Sequence, residues 1–81
     1  MAIDVRLLQL SPVDNVLVVR QRLEAGDRVE INGVSVPIAA HLGLGQKLAS
    51  APVAKGEKIV KYGAPIGRAT EDIALGAHVH I

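Results

Sequence analysis

His78 and His80 stand two positions apart, with only Val79 between them. On a strand this spacing sends both imidazoles to one face. Two imidazoles so placed supply two ligands to a divalent metal and need a third from elsewhere. His41 is the one other histidine, in a segment that reads as loop. The pattern fits a three-histidine site within the chain or a two-histidine share of a site completed by another chain. It fits equally well a solvent-facing pair that binds nothing.

The one aromatic residue, Tyr62, sits in Lys61-Tyr62-Gly63. A tyrosine with its polar tip at a bend suits an interface or a pocket rim, and it also serves as a large core filler. Gly63 and Gly67 bracket Ala64-Pro65-Ile66. Pro65 fixes φ and removes a donor, which predicts a sharp bend between two strands, with Lys61 and Tyr62 pointing to opposite faces at its edge.

Other chemistry is thin. Ser11, Ser35 and Ser50 have no Gly-x-Ser-x-Gly context for a nucleophile. The stretch from Gly43 to Ser50 has glycines and Lys47, but Gln46 precedes the lysine and Leu48 follows it, so it is no phosphate loop. Glu57, Glu71 and Asp72 fall at or beside expected turns and read as solvated, with Glu71-Asp72 also able to serve a neighbouring site.

The elements that must position these residues are short. Asn15–Val19 reads as a strand. Val29/Ile31 and Val34/Val36 alternate around Asn32-Gly33, a pair suited to the two φ > 0 positions of a type I′ hairpin turn. Lys58–Tyr62 reads as another strand. No segment holds a helical period over three turns, although Pro37–Gly45 has room for one short helical turn. The pattern apolar-x-x-Gly-x-x-apolar occurs four times, at Leu23–Val29, Leu42–Leu48, Val53–Ile59 and Ile73–Val79. Each copy fits a tight glycine turn that feeds a strand, with the first apolar residue tucked beneath the turn. The expectation is an all-β fold in one domain, residues 1–81.

Composition narrows the class. Of the 81 residues 49% are hydrophobic and 1% aromatic, so the core must be built from Val, Ile, Leu and Ala. A chain this short hides only about 60% of its unfolded surface. Without cysteine, no disulfide reinforces it, which favours support from a partner surface, another chain or a homo-oligomer. Net charge is +1 with no basic run, and stacking aromatics are missing, which argues against nucleic acid. No apolar stretch approaches the ~18 residues of a membrane span. The first ten residues carry Asp4 and Arg6 and do not read as a signal peptide, so a cytoplasmic setting is expected.

Several stretches resemble one family: Gly45-Gln46-Lys47-Leu48-Ala49, Val53-Ala54-Lys55-Gly56-Glu57, Val60-Lys61-Tyr62-Gly63, Pro65-Ile66-Gly67, Ala69-Thr70, Ile73, and Gly76 with His78-Val79-His80. Together they resemble the SAF domain of the altronate/galactarate dehydratase family. The resemblance covers the chain and is weaker before residue 38. It implies a small β-clip fold, either ahead of a large catalytic region or made as a separate small subunit. It further implies a sugar-acid substrate, loss of water to a 2-keto-3-deoxy acid, and Fe2+ or Mn2+ in the complete enzyme. Gln46, Lys47, Lys61 and Tyr62 then face the substrate or the larger subunit, and His78 and His80 become metal ligands. Lys61, Tyr62 and the histidine pair are expected to form one patch. Two departures stand out. The family commonly has Gly-His-Lys where this chain has Gly45-Gln46-Lys47, and Gln46 cannot act as acid, base or imidazole ligand. The sequence given stops at Ile81, where the family commonly continues with His-Asn.

Two other assignments compete. The small subunit of sulfolactate sulfo-lyase is similar to this chain, and its reaction expels sulfite. SAF domains also resemble antifreeze proteins, the terminal domain of sialic acid synthases and flagellar assembly chaperones, which makes a stand-alone binding or structural module the alternative to a lyase component.

Overall fold

The computed structural model describes residues 3–80. Met1, Ala2 and Ile81 fall outside it, and with them the ends of the segment read as no signal peptide and of the family resemblance. Eight short strands follow one another: β1 (Leu7–Leu8), β2 (Val16–Val19), β3 (Arg28–Ile31), β4 (Val34–Pro37), β5 (Lys47–Ala49), β6 (Lys58–Lys61), β7 (Ala64–Arg68) and β8 (His78–Val79). No helix occurs among the described residues, so Pro37–Gly45 does not form the helical turn expected of it. Instead Leu42 exchanges both backbone hydrogen bonds with Leu23, 3.0 and 2.9 Å. A bridge of this kind satisfies the backbone groups that a lone helical turn would leave open.

One antiparallel sheet has the order β1-β2-β5-β8, and two separate hairpins, β3-β4 and β6-β7, pack against it. Alternation along the central strands divides the core in two. Leu17, Val19 and Leu48 join Leu23, Val29, Ile31 and Leu42 in one cluster. Val16, Ala49 and Val79 join Val53, Ile59 and Ala69 in the other. With side chains this small, burying both faces of a short sheet replaces the area that aromatic residues would supply.

The four glycine turns are present. Gly26, Gly45, Gly56 and Gly76 have φ between 78° and 92°, and Leu23, Leu42 and Val53 are buried beneath theirs. Position 76 is constrained twice, because a Cβ there would also run into the side chain of Val36.

The glycine pattern belongs to a larger duplication. Leu23, Gly26 and Asn32 have counterparts 30 positions on, at Val53, Gly56 and Tyr62. Their backbone bonds repeat too: Gly26 N–H donates to Ile38 O at 2.9 Å and Gly56 N–H to Ala69 O at 2.8 Å. The offset grows to 31 at Ile73 and Gly76, the counterparts of Leu42 and Gly45. The extra residue is a bulge: Ile59 pairs with Gly67 and Val60 with Pro65, so Ile66 has no register partner.

This duplication corrects the reading of Tyr62 and Pro65. The hairpin turn is Tyr62-Gly63, with φ of 54° and 75°, matching Asn32-Gly33 at 50° and 83°. Pro65 lies within β7, which pairs on one side only and tolerates the missing N–H. Tyr62 is therefore a turn residue, and at 76% exposure it is no core filler. Val34, expected to alternate inward, is exposed where β4 leaves its turn.

Candidate functional site

Strands β5 and β8 are separated in sequence by the whole β6-β7 hairpin, and the sheet brings them side by side, Leu48 opposite His78 and Lys47 opposite Val79. Residues opposite one another share a face, and i, i+2 positions along a strand share it too. Gln46 and Leu48 therefore project to the same side as His78 and His80. Gln46, Lys47, His78, Val79 and His80 line one small hollow. Gln46 and His78 also form the rim of a neighbouring, larger hollow of about 700 Å³ floored by Val36, Leu42, Leu48 and Leu75.

Within the small hollow, Nε2–H of His78 donates to Oε1 of Gln46 at 2.7 Å. This bond places the imidazole proton on Nε2 and leaves the Nδ1 lone pair available. Burial pushes the His78 pKa down, and the nearby His80 and Lys47 push it further the same way, so the neutral ring is favoured. The two imidazoles stack at a tilt, centroids 4.0 Å apart and planes at 56°. Lys47, opposite Val79 and so based on the other face of β5, is half-buried, borders the hollow and adds the positive charge. The arrangement offers an ammonium, a neutral imidazole of defined tautomer and a second exposed imidazole, a set suited to an anionic, hydroxyl-bearing ligand.

The residues present do not complete a metal site. Among the described residues no group of three His, Cys, Asp or Glu side chains converges on one point. His41 lines the larger hollow together with His78 but does not converge on the histidine pair; its Nδ1–H donates to Glu24 Oε1 at 3.0 Å. His78 Nε2 carries the proton shared with Gln46, which leaves Nδ1 as its only ligating atom.

Lys61 and Tyr62 line neither hollow. They occupy the tip of the β6-β7 hairpin, held by residues that sequence reasoning missed. Asp14 is buried, and its carboxylate accepts the backbone N–H groups of Ser11 at 3.0 Å, Tyr62 at 2.8 Å and Gly63 at 2.9 Å. Asn15 continues the clamp, donating to Lys58 O and accepting from Val60 N–H, 2.9 and 2.8 Å. The available signal was Ser11-Pro12-Val13-Asp14-Asn15, a turn cluster placed directly before an apolar strand. The acids read as solvated also have local tasks: Glu57 accepts from Ala54 N–H at 2.8 Å and Asp72 from Lys55 N–H at 2.9 Å.

A family model described as the altronate/galactarate dehydratase SAF domain matches residues 5–81. The chain belongs to this family. It is 35% identical over 74 residues to an altronate dehydratase of Bacillus subtilis (strain 168), covering 91% of this chain and 15% of that protein. It is 38% identical over 73 residues to an altronate dehydratase of Escherichia coli (strain K12), covering 90% of this chain and 15% of that protein. The chain thus spans about one-seventh of the length of these relatives. Within this SAF domain, Gln46 cannot exchange a proton, but its carboxamide accepts from His78 and orients that imidazole. No helix among the described residues is long and apolar enough to cross a membrane.

Proposed function

We propose that this chain is the small subunit or amino-terminal domain of a metal-dependent sugar-acid dehydratase, acting in the cytoplasm with a larger catalytic polypeptide. The substrate class is a polyhydroxy acid of the altronate or galactarate type. The reaction is a β-elimination: the carbon beside the carboxylate loses its proton, the next carbon loses hydroxide as water, and the enol formed rearranges to a 2-keto-3-deoxy acid. One observation carries this reading: two stretches of the family resemblance, around Gly45–Ala49 and Gly76–His80, are distant in sequence yet line a single hollow.

In that hollow Lys47 attracts the substrate carboxylate, and His78, held by Gln46, presents Nδ1 to a substrate hydroxyl or proton. Fe2+ or Mn2+ in the complete enzyme would stabilise charge developing on the carboxylate side, with most of its ligands drawn from outside this chain. The chain alone is expected to be inactive.

The test is to purify the chain with its larger polypeptide and supply altronate, galactarate and sulfolactate in turn. Formation of a 2-keto-3-deoxy acid by the complex, with none from the chain alone, is the expected result. Joint His78→Ala and His80→Ala replacement should lower kcat at least tenfold, and unchanged turnover would remove the pair from the site. Release of sulfite from sulfolactate would redirect the assignment to a sulfo-lyase.

A further inference from the structure

The two hairpins of the duplication share one backbone and differ at their tips. In β3-β4 the first turn residue is Asn32, a type that enters the left-handed region at little cost. In β6-β7 the same position is Tyr62 at φ 54°, a bulky residue that this region disfavours. Nothing within the chain repays that choice through burial, because the ring is 76% exposed. The fold instead holds the tip rigidly, with the Asp14 carboxylate on the N–H groups of Tyr62 and Gly63. Strain maintained in a rigid, exposed aromatic points to contact with something outside the chain.

The surroundings say what kind of contact. Pro12 and Val13 precede the Asp14 that binds the tip, Ala64 and Pro65 follow Gly63, and all four are exposed and apolar. At the tip Lys61 is the one charged residue of the hairpin, because Lys58 and Arg68 lie opposite each other at its far end. The tip stands out in solvent and lines neither hollow of the histidine site, which favours a macromolecular surface over a small ligand. We propose that the Tyr62 tip is a docking anchor that inserts into an apolar pocket on the catalytic polypeptide of the dehydratase. This rests on the function proposed above and on the fact that the curated relatives carry most of their length outside the matching segment. The tip would hold the domain while the histidine hollow meets the substrate.

The test uses cells that make the complete dehydratase. Position 62 is replaced by the photocrosslinking residue p-benzoylphenylalanine, with position 32 as the matched control, and acceptor peptides are identified by mass spectrometry. A crosslink from 62 but not 32 to the catalytic polypeptide, whether separate or continuous with this chain, is expected. A crosslink to a second copy of the chain, or none from 62 while the assembly is intact, would overturn the anchor and leave the dehydratase reading standing. Absence of any dehydratase assembly would overturn both. As a second measurement, Tyr62→Asn should raise the Tm of the isolated chain by about 3–6 °C through relief of backbone strain. The same variant should weaken assembly at least tenfold, and an unchanged affinity would overturn the proposal.

Discussion

His78 and Gln46 meet at 2.7 Å across the β5-β8 pair, so a carboxamide 32 positions away in sequence decides which nitrogen of the imidazole carries its proton. Replacing Gln46 by Leu should release the ring. Nitrogen-15 NMR of the isolated chain is expected to show His78 as the Nε2–H tautomer, and a mixture of tautomers in the variant. In the complete enzyme, loss of this orienting bond should reduce kcat about tenfold, the scale typical of groups that orient an active imidazole.

The His78 pKa is lowered in the folded chain, first by burial and then by His80 and Lys47. The unfolded chain, with an ordinary imidazole pKa of about 6.5, therefore binds more protons than the folded one in the window just below that value. The stabilising contribution is present above about pH 6.5 and is lost as pH falls through the depressed folded value. Thermal unfolding between pH 8 and pH 5 should show a steeper loss of Tm in the wild type than in His78→Asn. Parallel curves would assign the acid sensitivity to other groups.

Asp14 is the buried acid whose carboxylate serves three backbone donors, and no other described side chain takes its place at Tyr62 and Gly63. Asp14→Ala strands those donors and should cost about 3 kcal/mol, a fall in Tm of 10 °C or more for a domain this small. Hydrogen exchange should accelerate first at Tyr62 and Gly63. Exchange that rises evenly over the chain would mean that the hairpin tip is held by other contacts.

Gly76 combines a φ of 78° with the close approach of Val36, whereas Gly56 has a similar φ of 87° and open space around its Cα. Gly76→Ala should therefore destabilise by about 2–4 kcal/mol and Gly56→Ala by about 1 kcal/mol. Because Gly76 lies two residues before the start of β8, the first change should also displace His78. Adding Val36→Ala should recover part of the loss at position 76 and none at position 56, as read by denaturant unfolding.

Local signals were legible in the sequence wherever a short-range rule decides the conformation. Asn32-Gly33 between alternating Val and Ile residues specified a hairpin turn, and the four spaced glycines specified four left-handed turns. The i, i+2 spacing of His78 and His80 placed both rings on one side of an extended segment. Tyr62-Gly63 was harder to read, because tyrosine is not a residue that advertises a left-handed turn. Its 30-position offset from Asn32-Gly33 was the signal, blurred downstream by the single-residue bulge at Ile66.

By itself, then, the sequence determined the all-β character, the four glycine turns and the Asn32-Gly33 hairpin, the aliphatic core and the family to which the domain belongs. The tertiary structure decided which distant residues share a site. It put Gln46 against His78, separated the Tyr62 tip from the histidine hollow, and gave Asp14 its three donors. Turn and alternation rules act over a few residues through local sterics. Strand order, which pairs β5 with β8 across an intervening hairpin, comes from burying both faces of one sheet at once, a property of the whole chain.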